Sequence, residues 1–266
     1  MYWLTWRQHR TQVLTTLVFL VVLGVALLVH GLSADGLTGA ALNERFVPVY
    51  EIVSWLPVLP VLFGAFWGAP VLAREFERGT HKVMWTQSVT RWQWLAVKLG
   101  GLGLVVALAG LAFGLMVKAW LNAFGDSDLA SPFGNGGLFA ISGIAPAAWW
   151  LFGFMLGAAA GAITRRTLPA IAVAIAVFAL ALFGVFQLRG SYGTPQDFDP
   201  GSVSEAEMRS TLSDAISVGS TEPAAVIQII PGSHYWQFQW TEAALLFAVA
   251  LLLGGVAVFG ALHRRV

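Results

Sequence analysis

The residues best able to do chemistry lie in one charged island, residues 73–92, between two long apolar runs. The island holds two glutamates, three arginines, one lysine and one histidine in a chain in which only 11% of residues are charged. Charges are costly inside the hydrocarbon of a bilayer, so this segment must lie in water or against another polar surface. Two interpretations follow: a solvated loop, or a docking element for a soluble partner in which Glu75 and Glu77 make specific pairs.

The rest of the sequence lacks the patterns of common catalytic sites. The nucleotide-binding loop G-x-x-x-x-G-K-[ST] and the zinc motif H-E-x-x-H are both absent. The chain has no cysteine, which excludes a disulfide framework and a cysteine nucleophile. Ser142 with Gly143 lies at a span end, and no span interior supplies a base to activate the serine. We therefore expect no enzyme activity, and no catalytic, cofactor or metal site on this chain.

The composition is typical of a protein that crosses a membrane several times. Hydrophobic residues make up 57% of the 266 residues, and the mean hydropathy is +0.72. Six apolar runs approach the roughly 20 residues that a helix needs to cross about 30 Å of hydrocarbon. We call them spans one to six, and they are predicted at residues 13–31, 52–72, 95–117, 144–163, 168–188 and 243–262.

The charge distribution predicts the orientation of these spans. Lysine and arginine in short loops stay in the cytoplasm, and eleven of the fifteen cations lie on one side if both termini are cytoplasmic. On that side the only acids are Glu75 and Glu77. Lys98 lies near the cytoplasmic end of span three, from which its long side chain is expected to snorkel to water.

The regions between the spans are predicted to be mostly short. We expect an all-α fold with an interfacial helix at residues 1–12 and a hairpin of spans four and five around T-R-R-T. Residues 189–242 form the largest external segment, and Ser204 with Glu207 predicts the start of a helix in it. A bend is expected in span two, which contains Pro57, Pro60 and Pro70.

Glycines recur every fourth residue in three spans and allow helix backbones to approach closely. The pairs and the triplet are Gly64 and Gly68, Gly110 and Gly114, and Gly153, Gly157 and Gly161. Packing within the chain is favoured over a dimer seam for any one of these rows.

Three short segments resemble one family. R-E-F-E-R-G-T, then T-Q-S-V-T-R and W-L-A-V-K-L, is similar to the cytoplasmic loop of the type-2 ABC transporter permeases. The opening W-L-T-W-R-Q-H-R and the stretch P-G-S-H-Y-W-Q-F-Q-W-T-E before span six resemble a bacterial branch of the same group. These permeases are six-span subunits of export systems, and their R-E-x-E-x-G-T loop forms the coupling helix.

The resemblance implies a permease, in the bacterial cytoplasmic membrane, whose ATP and Mg are bound by separate ATPase subunits. It also implies a second permease copy or a sister permease, a hydrophobic or amphipathic cargo such as a drug, lipid or peptide, and no nucleic-acid partner. The residues that it assigns to ATPase coupling are Arg74, Glu75, Glu77, Arg78, Gly79, Thr80 and His81. The residues that it offers as lining of a substrate path are Phe63, Trp67, Phe178, Phe183 and Phe186.

A second class of function stays open on the residues alone. The chain could be a membrane anchor or sensor that transports nothing and binds a ligand with its external segment, residues 189–242. Co-purification with an ATPase distinguishes the two classes.

Overall fold

The computed structural model describes residues 2–79, 90–125, 127, 130–221 and 226–263. In this part of the chain, six helical stretches are long and apolar enough to cross a membrane. They cover His9–Leu32, Gly39–Glu77, Trp92–Asn122, Ala145–Thr164, Thr167–Ser191 and Gly232–Leu262. The predicted all-α, six-span fold is confirmed. We call the end of the bundle that carries residues 74–79 the island end, and the opposite end the cap end.

Span one is a single uninterrupted helix, α1, from Tyr2 to Leu32. The predicted interfacial segment, residues 1–12, is helical from Tyr2 onward, but it is continuous with the span and not a separate element. No proline or glycine lies between Tyr2 and Leu23 to interrupt the backbone hydrogen bonds, so the helix runs on.

Span two is assembled from several helical types. Helix α2 (Gly39–Val53) is followed by a 3-10 turn (Leu56–Val58), α3 (Leu59–Leu62), a π-helix (Phe63–Gly68) and α4 (Ala69–Glu77). Pro57, Pro60 and Pro70 each lie in the first two positions of a segment, where a missing N–H costs no hydrogen bond. The regular α-helix is therefore interrupted in the part of span two that contains these prolines, whereas the predicted bend stays a prediction. Helix α2, which was not expected, extends the span at the cap end.

Span three begins with α5 (Arg91–Leu95), passes through a π-helix (Ala96–Gly100) and continues as α6 (Gly101–Asn122). A short helix, α7 (Gly136–Ile141), leads to span four, α8 (Ala145–Thr164). Span five, α9 (Thr167–Leu188), follows after a turn in which Arg165 is left-handed, with φ of 54°. The predicted hairpin of spans four and five is present.

The segment between spans five and six, residues 192–231, is the cap. It contains β1 (Gln196–Phe198), α10 (Glu205–Ser213), β2 (Ala215–Thr221) and β3 (Val226–Pro231), with the strands antiparallel in the order β1-β3-β2. Ser204 caps α10 by accepting a hydrogen bond from the backbone N–H of Glu207, as predicted. The small sheet was not predicted. Span six, α11, then runs from Tyr235 to His263.

Span four is the centre of the bundle, because its glycines admit the neighbouring backbones. A methyl group on Gly64 of span two would lie 2.6 Å from the carbonyl oxygen of Gly153, and one on Gly110 of span three 2.6 Å from that of Pro146. Gly161 faces Ala69 of span two in the same way. The expected packing of these glycine rows within the chain is confirmed.

Candidate coupling site

The predicted coupling residues lie where span two ends. Helix α4 stops at Glu77, and Gly79 takes φ of 66°, a left-handed conformation that glycine adopts without strain. The side chains of Arg74 and Arg78 are exposed. Thr80 and His81 lie outside the described residues.

Glu75 binds span three, not the solvent. Its Oε1 accepts a hydrogen bond from Lys98 Nζ, and the Lys98 ammonium lies 5.2 Å from the centre of the Trp94 ring. Lys98 is only 4% exposed, so the expectation that it snorkels to water is wrong. A charged group this deeply buried needs a counter-ion, and Glu75 supplies it across the interface between the two spans.

Glu77 binds the start of span five. Its Oε1 accepts the backbone N–H of Thr167 at 2.8 Å, and its Oε2 accepts the Thr167 hydroxyl at 2.8 Å. Thr167 is the first residue of α9, whose N–H has no partner within the helix. A carboxylate at this position satisfies that donor and is favoured by the helix dipole.

The turn between spans four and five completes this contact. The Arg165 guanidinium lies 4.9 Å from the centre of the Phe76 ring, so the turn contacts α4 at Phe76 as well as at Glu77. The side chain of Arg166 is exposed beside Glu77. The island end thus presents the exposed side chains of Arg74, Arg78 and Arg166 around carboxylates that are already bound within the chain.

Sequence reasoning identified the two acids but missed the residues that they bind. The sequence offered a reason to look at Lys98, since it is the one cation placed inside the predicted end of a span. Thr167 carried a weaker one, as the last residue of the T-R-R-T turn. Neither signal says which carboxylate would reach which partner, because that depends on how the helices are rotated against each other.

The five predicted path residues occupy different environments. Phe63 and Trp67 line a cavity of about 230 Å³ between spans one and two, and Phe63 stacks on Trp150 at 4.2 Å. Phe178 is buried against Trp149 and Phe152. Within this chain, therefore, the structure brings only the first two together at a cavity.

The remaining two path residues lie further toward the cap end of span five. Phe183 is 67% exposed on the outside of the bundle. Phe186 lines a separate cavity of about 580 Å³ beneath the cap, where its ring lies 4.2 Å from the Arg189 guanidinium.

A second buried ion pair closes the cap end. Arg189 Nε and one of its terminal nitrogens donate to the two carboxylate oxygens of Glu242, at 2.7 and 2.9 Å, and the other terminal nitrogen donates to Gly136 O. The Trp149 indole N–H donates to the same carboxylate at 2.7 Å. The pair ties the end of span five to the start of span six, across the base of the cap. Beside it, burial raises the pKa of the Tyr192 phenol above its usual value.

Six packed helices, each long and apolar enough to cross a membrane, define a multi-pass helical membrane protein. Residues 17–189, more than half of the chain, match the family model described as ABC-2 membrane transporter related. The chain belongs to this family, whose members are in general non-enzymatic membrane subunits of ABC transporters that work with an ATPase partner. No match was found among curated proteins or among solved structures.

Proposed function

We propose that this chain is the permease subunit of an ABC exporter in the bacterial cytoplasmic membrane. It moves a hydrophobic or amphipathic compound with ATP and Mg bound by separate nucleotide-binding subunits, and it holds no cofactor itself. The observation that carries the proposal is the pairing of Glu75 with Lys98 and of Glu77 with Thr167, in a chain of the ABC-2 family.

These two contacts suit the transmission of motion. A displacement of residues 74–79 acts at once on spans two, three and five, because each acid is bonded to a different span. The exposed Arg74 and Arg78, with Gly79, Thr80 and His81, then form the surface that binds the ATPase, and Glu75 and Glu77 pass its movement into the membrane. The seven residues expected to couple the ATPase to the membrane thus have two different roles, binding and transmission.

The cargo path belongs between this chain and a second permease, either a copy or a sister chain. Phe63 and Trp67 form its aromatic wall on span two, and Phe183, which is exposed on the outside of the bundle, contributes from span five. Phe178 is buried within this chain and Phe186 lines the cavity beneath the cap, so neither faces such a path in this conformation. Spans one and five have large apolar faces that are exposed in the described part of the chain, which supports such a partner or the lipid that replaces it.

The test is co-purification from native membranes in mild detergent, followed by measurement of ATPase activity. We expect wild-type protein to retain an ATPase subunit, and Arg74→Glu with Arg78→Glu to retain at most about a tenth as much. Arg209→Glu makes the same kind of substitution, with half of the total charge change, on the exposed surface of α10 and serves as the control for either single variant, Arg74→Glu or Arg78→Glu.

A second pair of variants separates binding from transmission. Glu77→Ala removes both hydrogen bonds to span five, whereas Thr167→Val removes only the one from the hydroxyl. We expect both to keep the ATPase subunit, Glu77→Ala to lose most of the stimulation of its activity by the permease, and Thr167→Val to lose less. Repeated isolation of the wild-type chain without any ATPase would refute the proposal.

The anchor or sensor alternative is supported by one feature, the cavity beneath the cap. This cavity is lined by polar and apolar side chains, including Gln187, Arg189 and Ser217, and could hold a small ligand. The alternative predicts that no ATPase accompanies the chain in the same isolation.

A further inference from the structure

Pro70 leaves one carbonyl group of span two without its usual donor. In an α-helix the carbonyl oxygen of a residue accepts the N–H of the residue four positions later, and proline has no N–H. Phe66 lies four positions before Pro70, in the π-helix that leads into α4. Water does not reach such a group inside a bilayer, so its donor must come from elsewhere in the protein.

Span one supplies this donor. The side-chain Nε2 of Gln12 donates to the carbonyl oxygen of Phe66 at 3.2 Å, across 54 positions of the chain. One turn earlier, Nδ1 of His9 lies 2.6 Å from Oε1 of Gln12. Because the amide nitrogen of Gln12 is used on the carbonyl group, its oxygen is left to accept, and His9 is the donor of this second bond. The Gln12 amide is therefore oriented from both ends.

This bond joins two helices that otherwise pack loosely. Span one packs mainly against span three, where its Gly24 and Gly31 contact Met116 and Ala123. Only 11% of its most apolar 18 residues are buried, so little apolar contact fixes span one on span two. A single directional bond consequently has a large share in the relative position of these two spans.

The bond lies at the edge of the cavity between spans one and two. Thr16, one turn after Gln12, lines this cavity together with Phe63 and Trp67 of span two. Phe66, whose carbonyl oxygen accepts the bond, lines it as well. One wall of the cavity thus belongs to span one, and its distance from the aromatic wall depends on how span one is held.

From these contacts we infer that Gln12 is a positioning residue of the proposed cargo path. It holds span one on span two by supplying the donor that Pro70 cannot, and it thereby sets the width of the cavity that contains Phe63 and Trp67. The inference rests on the proposed function only for the use of this cavity. A glutamine that merely marks the membrane boundary would be indifferent to the residue at position 70, whereas this role makes Gln12 and Pro70 depend on each other.

Thiol labelling of the purified full-length chain in detergent tests the position of span one. Thr16→Cys introduces the only thiol, at a half-buried position that lines the cavity. Gln12→Met keeps the length of the side chain and removes the donor. We expect it to raise the rate at which a small maleimide labels Thr16→Cys by about fivefold or more. The control is Val18→Cys, a position of span one that is 60% exposed, where the rate should not change.

Pro70→Ala separates this role from a general loosening of the bundle. It restores a backbone N–H that can donate to the Phe66 carbonyl oxygen in place of Gln12. In this background we expect Gln12→Met to change the labelling of Thr16→Cys by less than about twofold. An equal effect of Gln12→Met with either residue at position 70, or no effect with proline there, overturns the inference. If the labelling follows the expectation but no ATPase accompanies the wild-type chain, the proposed function fails while the contact stands.

Discussion

Glu75 and Glu77 are two residues apart, yet they bind different spans. Residues at this spacing on a helix point about 200° apart, so one can face span three while the other faces the start of span five. A loop that merely needs charge for solubility does not require this arrangement. Two acids with two separate partners are a feature of a segment that must hold its neighbours in a fixed relation.

Lys98 gives the sharpest test at the level of single residues. Lys98→Met leaves the half-buried Glu75 carboxylate without its counter-ion, and we expect it to lower the free energy of unfolding by about 3–5 kcal/mol. The double variant Lys98→Met with Glu75→Met removes both charges and should recover most of that loss. Unfolding in a denaturing detergent titration measures both.

An exposed ion pair in the same chain provides the comparison. Arg209 and Glu205 pair across one turn of α10 with both side chains more than half exposed. Arg209→Met should therefore change the free energy of unfolding by less than about 1 kcal/mol. An equal effect of the Lys98 and Arg209 substitutions would contradict the buried pair.

Arg189 and Glu242 make a second prediction, at the cap end. Arg189→Met strands a fully buried carboxylate, and we expect a loss of about 3–5 kcal/mol together with faster tryptic cleavage at Arg209, since the base of the cap opens. Arg189→Met with Glu242→Met should slow that cleavage again. Cleavage that is the same in wild type and in Arg189→Met would show that the pair does not hold the cap.

Among the elements, span four determines the packing of the others. In the most apolar 18 residues of span four, 83% of the residues are buried. In the corresponding 18 residues of span one, 11% are buried. Its glycines contact backbone atoms of span two directly, and Gly110 of span three contacts the Pro146 carbonyl oxygen at the start of span four. These interfaces therefore contain few side chains that could adjust to a larger residue.

Gly64 shows what that close contact requires. Gly64→Ala places a methyl group against the Gly153 carbonyl oxygen, and we expect a loss of about 1–3 kcal/mol because two backbones must separate. The control is Gly255→Ala in span six, where no atom lies within 4 Å of the added group. Alanine in an open helical position should stabilise by up to about 1 kcal/mol, and the same detergent titration compares the two.

For the whole molecule, the orientation in the membrane stays a prediction from the charge distribution. It can be tested by cysteine labelling, because the sequence contains no cysteine. A single introduced cysteine will be the only thiol in the chain. We expect Ser217→Cys, on the exposed strand β2, to react with a membrane-impermeant maleimide in intact cells. Arg78→Cys should react only after the membrane is made permeable.

The reverse labelling pattern would place the cap in the cytoplasm. It would also exclude a cytoplasmic ATPase as the partner of residues 74–79, and thereby the proposed function. Labelling of both sites in intact cells would point to broken membranes, which a cytoplasmic marker enzyme excludes in the same experiment.

The sequence by itself determined the number of apolar helices long enough to cross a membrane, the part of span two in which the regular α-helix is interrupted, and the N-cap at Ser204. Each of these depends on local properties: the length of an apolar run, a missing N–H in proline, or a hydroxyl at the first turn of a helix. The resemblance to the family was likewise recognised from short motifs along the chain.

Only the tertiary structure decided what the charges bind. Lys98, Thr167 and Arg189 meet partners that are 23, 90 and 53 positions away, and these pairings depend on the rotation of whole helices about their axes. The sheet of the cap was also missed, and one of its two pairings, β1 with β3, joins strands that are separated along the chain by α10 and β2. Contacts that helix packing creates leave little trace in the local sequence. The helices themselves, in contrast, leave clear patterns in it.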